Sequence, residues 1–79
     1  MRIERIVFNI ALKLYDIKSP SGFIRKFAWR MQEQIFNIPD IEELEKELRF
    51  FIECNKEYGT QKEIRIISNI VKNEIKKGT

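Results

Sequence analysis

The chain has 79 residues, a net charge of +3 and one cysteine, Cys54. A chain of this length is expected to form one domain over residues 1–79, which buries only about 60% of the surface that its unfolded form exposes. A single cysteine excludes an internal disulfide and a cysteine-based metal framework, so we expect a reducing, cytoplasmic location. Charged and polar residues interrupt the apolar stretches near the N-terminus, and neither a signal peptide nor a membrane span is expected.

The spacing of apolar residues predicts an all-α fold, a compact bundle of four antiparallel helices. The expected helices, α1 to α4 in chain order, cover about residues 3–17, 20–36, 40–58 and 61–77. Only three glycines and two prolines are present, which favours long helices with short connections.

Capping residues locate the ends of these helices. Ser19 followed by Pro20 predicts the start of the second helix, because a hydroxyl caps free amides and proline fits the first turn. Asp40 and Thr60 are each followed three residues later by glutamate, which predicts capping boxes at the starts of the third and fourth helices. Gly59 is expected to end the third helix in a left-handed conformation.

The first and third helices carry distinctive apolar patterns. Besides its main seam, the first helix has a second apolar strip, which predicts that it is sandwiched on two sides. This α1 strip consists of Phe8, Leu12 and Tyr15. The predicted seam of the third helix extends as far as Tyr58.

Trp29 lies on the wrong side of its own helix for core packing. It falls about 160° from the centre of the apolar seam and shares its face with Arg25, Arg30 and Phe36. The face is either a second buried surface or a contact surface for a partner. Tryptophan and arginine are enriched in protein interfaces, but they also stack on single-stranded bases, so core packing, a protein interface and a nucleic-acid interface all remain open.

The chain has more apolar side chains than one seam per helix requires. Seven lie off the primary seams: Phe8, Tyr15, Trp29, Phe36, Phe50, Ile66 and Ile70. Such a surplus would leave exposed apolar patches that soluble monomers avoid, so we expect self-association or a protein partner.

The residue types argue against catalysis. The chain has no histidine, which removes the ordinary general base near neutral pH and the imidazole metal ligand. Glu43, Glu47 and Glu57 lie near Cys54 on the third helix, but the same positions form its natural solvent face. We therefore expect no enzyme activity, no catalytic or metal site, no cofactor and no small-molecule substrate, and we interpret Cys54 as a spectator thiol.

Charge is segregated along the chain. The net charge is +4 over residues 1–38, −4 over residues 39–60 and +3 over residues 61–79. The acidic third helix argues against a helix-turn-helix, because phosphates would repel it from the major groove. The fourth helix instead carries a basic stripe, which suits either nucleic-acid phosphates or a solvated outer face; this α4 stripe consists of Lys62, Arg65, Lys72 and Lys76.

These patterns lead to one main hypothesis and one alternative. The main hypothesis is a non-enzymatic interaction or regulatory protein that binds a protein partner, or a second copy of itself, and no membrane. Its candidate contact residues are Trp29, Arg25, Phe36, Phe8 and Tyr15. The alternative is a nucleic-acid-binding accessory protein that uses Lys62, Arg65, Lys72, Lys76 and Arg30.

Overall fold

The computed structural model describes residues 2–78, which form four helices. They are α1 (Ile3–Tyr15), α2 (Gly22–Glu33), α3 (Ile41–Asn55) and α4 (Gln61–Gly78), and residues 2–78 contain no strand. The predicted all-α, four-helix fold is confirmed. That all neighbouring helices run antiparallel stays a prediction.

The core follows the predicted helix seams. Helix α1 packs against both α2 and α4, and α3 packs against α4. The fully enclosed side chains come from all four helices and include Ile6, Val7, Ile10, Leu14, Phe27, Met31, Leu44, Ile67 and Val71. Removing these apolar surfaces from water is the main source of stability.

Helix α2 begins two residues later than predicted. Its N-cap is Ser21, whose Oγ accepts a hydrogen bond from the backbone N–H of Ile24 at 3.3 Å. Ser19 has a φ of 51°, a left-handed conformation in place of the extended one that an N-cap residue needs. The prediction that Ser19 and Pro20 start the helix is therefore wrong.

The other two N-caps are confirmed. Asp40 Oδ1 accepts from the backbone N–H of Glu43 at 2.9 Å. The capping box predicted at α3 is only half formed, because Glu43 Oε1 contacts Lys46 Nζ and not the backbone N–H of Asp40. At α4 the capping box is complete, because the N–H of Thr60 donates to Glu63 Oε1 at 2.8 Å and the N–H of Glu63 donates to Thr60 Oγ1 at 3.1 Å.

Gly59 has a different role from the predicted one. No described glycine has a positive φ, so Gly59 is not a left-handed helix stop. A Cβ at this position would instead lie 2.5 Å from a ring carbon of Phe23. Glycine is required here because the backbone passes close to an aromatic ring.

Helices α1, α2 and α3 end earlier than predicted, and an exposed aromatic side chain follows the ends of α2 and α3. Helix α2 ends at Glu33, and the turn after it carries Phe36 with 88% of its surface exposed. Ile38 is buried, so the chain leaves the helix to bring this side chain into the core. Helix α3 ends at Asn55, and Tyr58 is exposed in the following turn instead of extending the seam.

The surplus apolar residues fall into two groups. Ile66 and Ile70 are partly buried against the core. Phe8, Leu12 and Tyr15 of the α1 strip are exposed, so the prediction that α1 is sandwiched on both sides is wrong for the single chain. Helix α1 packs against α2 and α4, and within residues 2–78 no helix buries this strip.

Within residues 2–78, no helix combines the length and the apolar character needed to cross a membrane.

Candidate functional site: a groove between α2 and α3

Trp29 lies on one wall of a surface groove. Its side chain is 65% exposed, which excludes the core interpretation of this residue. The groove has a volume of about 670 Å³ and lies between α2 and α3. We call it the α2–α3 groove.

Helical periodicity builds the two walls. On α2, Arg25 and Trp29 are four residues apart and so lie one above the other. On α3, Phe50 and Cys54 have the same spacing, and both line the groove. The face that looked misplaced in the sequence is thus one wall of the groove, and the face of α3 opposite its seam supplies the other.

The floor of the groove is aromatic. Phe51 is buried, and its ring centroid lies 4.9 Å from that of Phe27 and 5.2 Å from that of Phe23. Tilted ring pairs at these distances are favourable beyond their buried area. These rings join α2 to α3 at depth and leave the more exposed parts of the two helices facing solvent.

The two rims each carry a large exposed aromatic side chain. Trp29 is 65% exposed and Phe50 is 62% exposed. Single exposed apolar residues are ordinary on protein surfaces. Two aromatic side chains that line one groove over an aromatic floor form a contiguous apolar surface, which is typical of binding sites.

An ion pair spans one end of the groove. Arg30 Nε lies 3.2 Å from Glu47 Oε2, and Arg30 Nη2 lies 3.1 Å from Glu47 Oε1. This two-pronged geometry is the strong form of an arginine–carboxylate contact. Hydrogen bonding to Glu47 raises the pKa of Arg30. The nucleic-acid alternative assigns the Arg30 guanidinium to a phosphate. In the structure this guanidinium contacts a carboxylate of its own chain.

The other end carries a fixed ammonium group. Lys26 Nζ donates to Asn55 Oδ1 at 3.0 Å. Asn55 is only 8% exposed, and its Nδ2 donates to the backbone carbonyl of Phe51 at 2.9 Å. Arg25 lies one residue away on α2 and is exposed, and its guanidinium makes no ion pair or hydrogen bond within residues 2–78.

Asn55 and its contact with Lys26 were not predicted from the sequence. A signal was available, because Leu44, Leu48, Phe51 and Asn55 follow three–four spacing and place Asn55 on the buried seam of α3. A polar residue on such a seam needs hydrogen-bond partners. Here Lys26 and the α3 backbone supply them.

The remaining aromatic candidates lie outside the groove. Phe36, Phe8 and Tyr15 are exposed but do not line it. Tyr15 instead donates from its hydroxyl to Gln32 Oε1 at 2.7 Å, which ties α1 to α2. Of the five residues predicted to contact a partner, the groove brings together Trp29 and Arg25.

The α4 stripe forms a separate surface. Its members are all exposed and none lines the α2–α3 groove: Lys62, Arg65, Lys72 and Lys76. Lys76 makes contacts of its own within the chain. Arg30, grouped with the stripe in the sequence-based alternative, lies in the groove instead.

The carboxylates near Cys54 do not form a cluster. Glu47 contacts Arg30, Glu43 Oε1 lies 3.4 Å from Lys46 Nζ, and Glu57 is exposed. Within the described residues, no group of three or more histidine, cysteine, aspartate or glutamate side chains is placed to hold a metal ion. Cys54 carries an exposed free thiol in the groove wall.

No protein-family model matches the chain, and no curated protein or solved structure shows significant similarity to it.

Proposed function

We propose that this protein is a non-enzymatic interaction protein that binds a helical segment of another protein in the α2–α3 groove. The observation that carries this proposal is the pair of exposed aromatic side chains, Trp29 and Phe50, on the walls of one groove with Phe51 as its floor. A partner that covers them removes both exposed aromatic surfaces from water at a single site.

The dimensions of the groove suit a short helix. Its α2 wall extends from Gly22 to Glu33, which is about 16 Å at a rise of 1.5 Å per residue. That length matches about three turns of a ligand helix. Such ligands bind through apolar residues at positions i, i+3 or i+4, and i+7, and here these would contact Trp29 and Phe50.

The charges of the groove favour protein over single-stranded nucleic acid. Two carboxylates, Glu33 and Glu47, line it and would repel phosphates. Arg30 is already paired with Glu47. Aromatic side chains suit both kinds of ligand, but a site for nucleic acid normally surrounds them with cations along the whole path of the backbone.

A selection experiment tests this proposal. A displayed library of 16-residue amphipathic peptides, with leucine or phenylalanine fixed along one helical stripe and all other positions randomised, is selected against the immobilised protein. We expect enrichment on the native protein and its loss with Trp29→Ala and with Phe50→Ala. Phe36→Ala is the matched control, because it removes an even more exposed aromatic side chain that lies outside the groove. Failure to enrich any peptide, or equal enrichment on Trp29→Ala, would contradict the proposal.

Nucleic-acid binding through the α4 stripe is the second candidate. Lys62, Arg65 and Lys72 are exposed and have no carboxylate partner within residues 2–78. If this function is correct, binding to random-sequence oligonucleotides falls steeply with salt, and reversing Lys72 and Lys76 to glutamate abolishes it. Retained binding in that variant would assign the stripe to solubility.

A further inference from the structure

We infer that the segment bound in the α2–α3 groove is acidic, and that it places a carboxylate beside Arg25 and Lys26 while its apolar side chains contact Trp29 and Phe50. This inference rests on the proposed function and specifies the chemistry of the partner.

The charges along the groove are uneven. The carboxylates that line it, Glu33 and Glu47, lie at the end where Arg30 also lies, and Glu47 neutralises Arg30. The opposite end, towards Gly22, contributes Arg25 and Lys26 and no lining carboxylate. The lining side chains therefore carry a net charge of −1 at the Arg30 end of the groove and +2 at the Gly22 end.

A carboxylate beside this cationic end already has hydrogen-bond partners of its own. Glu63 lines an adjoining depression together with Lys26. Its Oε1 accepts from the backbone N–H of Thr60 at 2.8 Å, and hydrogen bonding with Ser21 and Thr60 lowers the pKa of its carboxyl. No ion pair joins Glu63 to Lys26 within the described part of the chain.

Lys26 is held in place by a neutral group. Its Nζ donates to the amide oxygen of Asn55, and Asn55 is itself held by the α3 backbone. An ammonium has three donors, so two remain for a ligand while its charge is uncompensated. Pre-positioning lowers the entropy cost of an ion pair, and the neighbouring apolar walls strengthen it by excluding water.

Helix α2 adds to the positive potential at the Gly22 end of the groove. Its N-terminus lies at the Gly22 end of the groove, and the helix dipole favours negative charge there. An acidic ligand thus gains from two side chains and one helix end, whereas a basic ligand would be repelled by the same groups. The uneven charge would also fix the direction in which the ligand helix lies.

The peptide selection, carried out on three proteins, tests this inference. They are the native protein, the double variant Arg25→Met with Lys26→Met, and the matched double variant Arg65→Met with Lys72→Met, which loses the same two charges on α4. We expect peptides from the native protein and from the α4 variant to be rich in aspartate and glutamate next to the apolar stripe. Peptides from the groove variant should lose this bias, and its affinity for the best acidic peptide should fall at least tenfold.

The outcomes separate the inference from the function that it builds on. Enriched apolar peptides without an acidic bias, or a bias that persists in the groove variant, would overturn the inference and leave the proposed function standing. Failure to enrich any peptide, or enrichment that survives Trp29→Ala, would overturn both. Because Lys26→Met also removes a hydrogen bond to the buried Asn55, Arg25→Met alone is measured in parallel and should lose part of the acidic bias without affecting folding.

Discussion

Gly22 and Gly59 are two glycines with opposite surroundings. A Cβ at Gly22 would meet no atom within 4 Å, whereas one at Gly59 would lie 2.5 Å from the Phe23 ring. We expect Gly22→Ala to stabilise the protein by about 0.4 to 1 kcal/mol through the unfolded chain. Gly59→Ala should destabilise it by about 1 to 3 kcal/mol through overpacking. Urea unfolding of both variants measures this difference, and equal effects would contradict the assigned role of Gly59.

Trp29 should contribute little to folding despite its size. Because the side chain is 65% exposed, Trp29→Ala is expected to change the free energy of unfolding by less than about 1 kcal/mol. A buried tryptophan would instead cost about 3 to 5 kcal/mol. The measurement is urea unfolding followed by circular dichroism, since the variant lacks the only tryptophan. A loss in the larger range would mean that Trp29 is core.

The Glu63 carboxyl makes the free energy of unfolding sensitive to acid through the capping box of α4. Hydrogen bonds from Ser21 and Thr60 lower the pKa of its carboxyl in the folded state. Its contribution to stability is therefore present above the unfolded pKa, about 4.3, and is lost as the pH falls through the lower folded value. We expect the unfolding free energy of Glu63→Gln to decline less steeply with acidification in this window than that of the native protein. Glu45→Gln, at an exposed glutamate, is the control and should leave the slope unchanged.

At the scale of helices, the sequence was most informative where interactions are local. Asp40 and Thr60 cap their helices within three residues, so spacing alone revealed them. The pattern of α2 also placed Trp29 away from the apolar seam, although it left core packing and a contact surface both open. Caps and seams each depend on one helix and its immediate neighbours, which is why they could be read from the sequence.

Features that depend on two helices could not be predicted in the same way. The groove exists because Phe51 packs beneath both walls, and one end of it depends on the contact of Asn55 with Lys26. Neither the packing of Phe51 under both walls nor the contact of Asn55 with Lys26 follows from residue spacing within a single helix. Gly59 shows the same limit, because its requirement comes from the ring of Phe23 on α2.

The ion pair between Arg30 and Glu47 is the direct polar contact at one end of the groove. Both side chains are partly exposed, so its value is reduced by solvent. A double-mutant cycle with Arg30→Ala and Glu47→Ala should give a coupling energy of about 0.5 to 1 kcal/mol. The same cycle on Lys46 and Glu43, a more exposed pair, should give less. Zero coupling for the first pair would mean that it does not hold α2 to α3.

At the scale of the whole molecule, two apolar surfaces remain uncovered, the α2–α3 groove and the α1 strip. Because a second copy could cover the α1 strip, we expect self-association at micromolar concentration that is lost in the variant Phe8→Ser with Leu12→Ser and retained in Trp29→Ala. Sedimentation equilibrium measures this directly. A mass of 9.6 kDa at all concentrations would contradict it, and dissociation by Trp29→Ala would mean that the second copy occupies the groove.

The most direct test of the central claim is to map the bound peptide on the protein by NMR. The selected peptide is titrated into the labelled protein, and the chemical shifts of the backbone amides and of the Trp29 indole N–H are followed. The account predicts that the largest changes fall within Gly22–Glu33 and residues 47–55, with Trp29 among the most affected. Changes centred on the α1 strip or the α4 stripe, with these two segments unchanged, would contradict it.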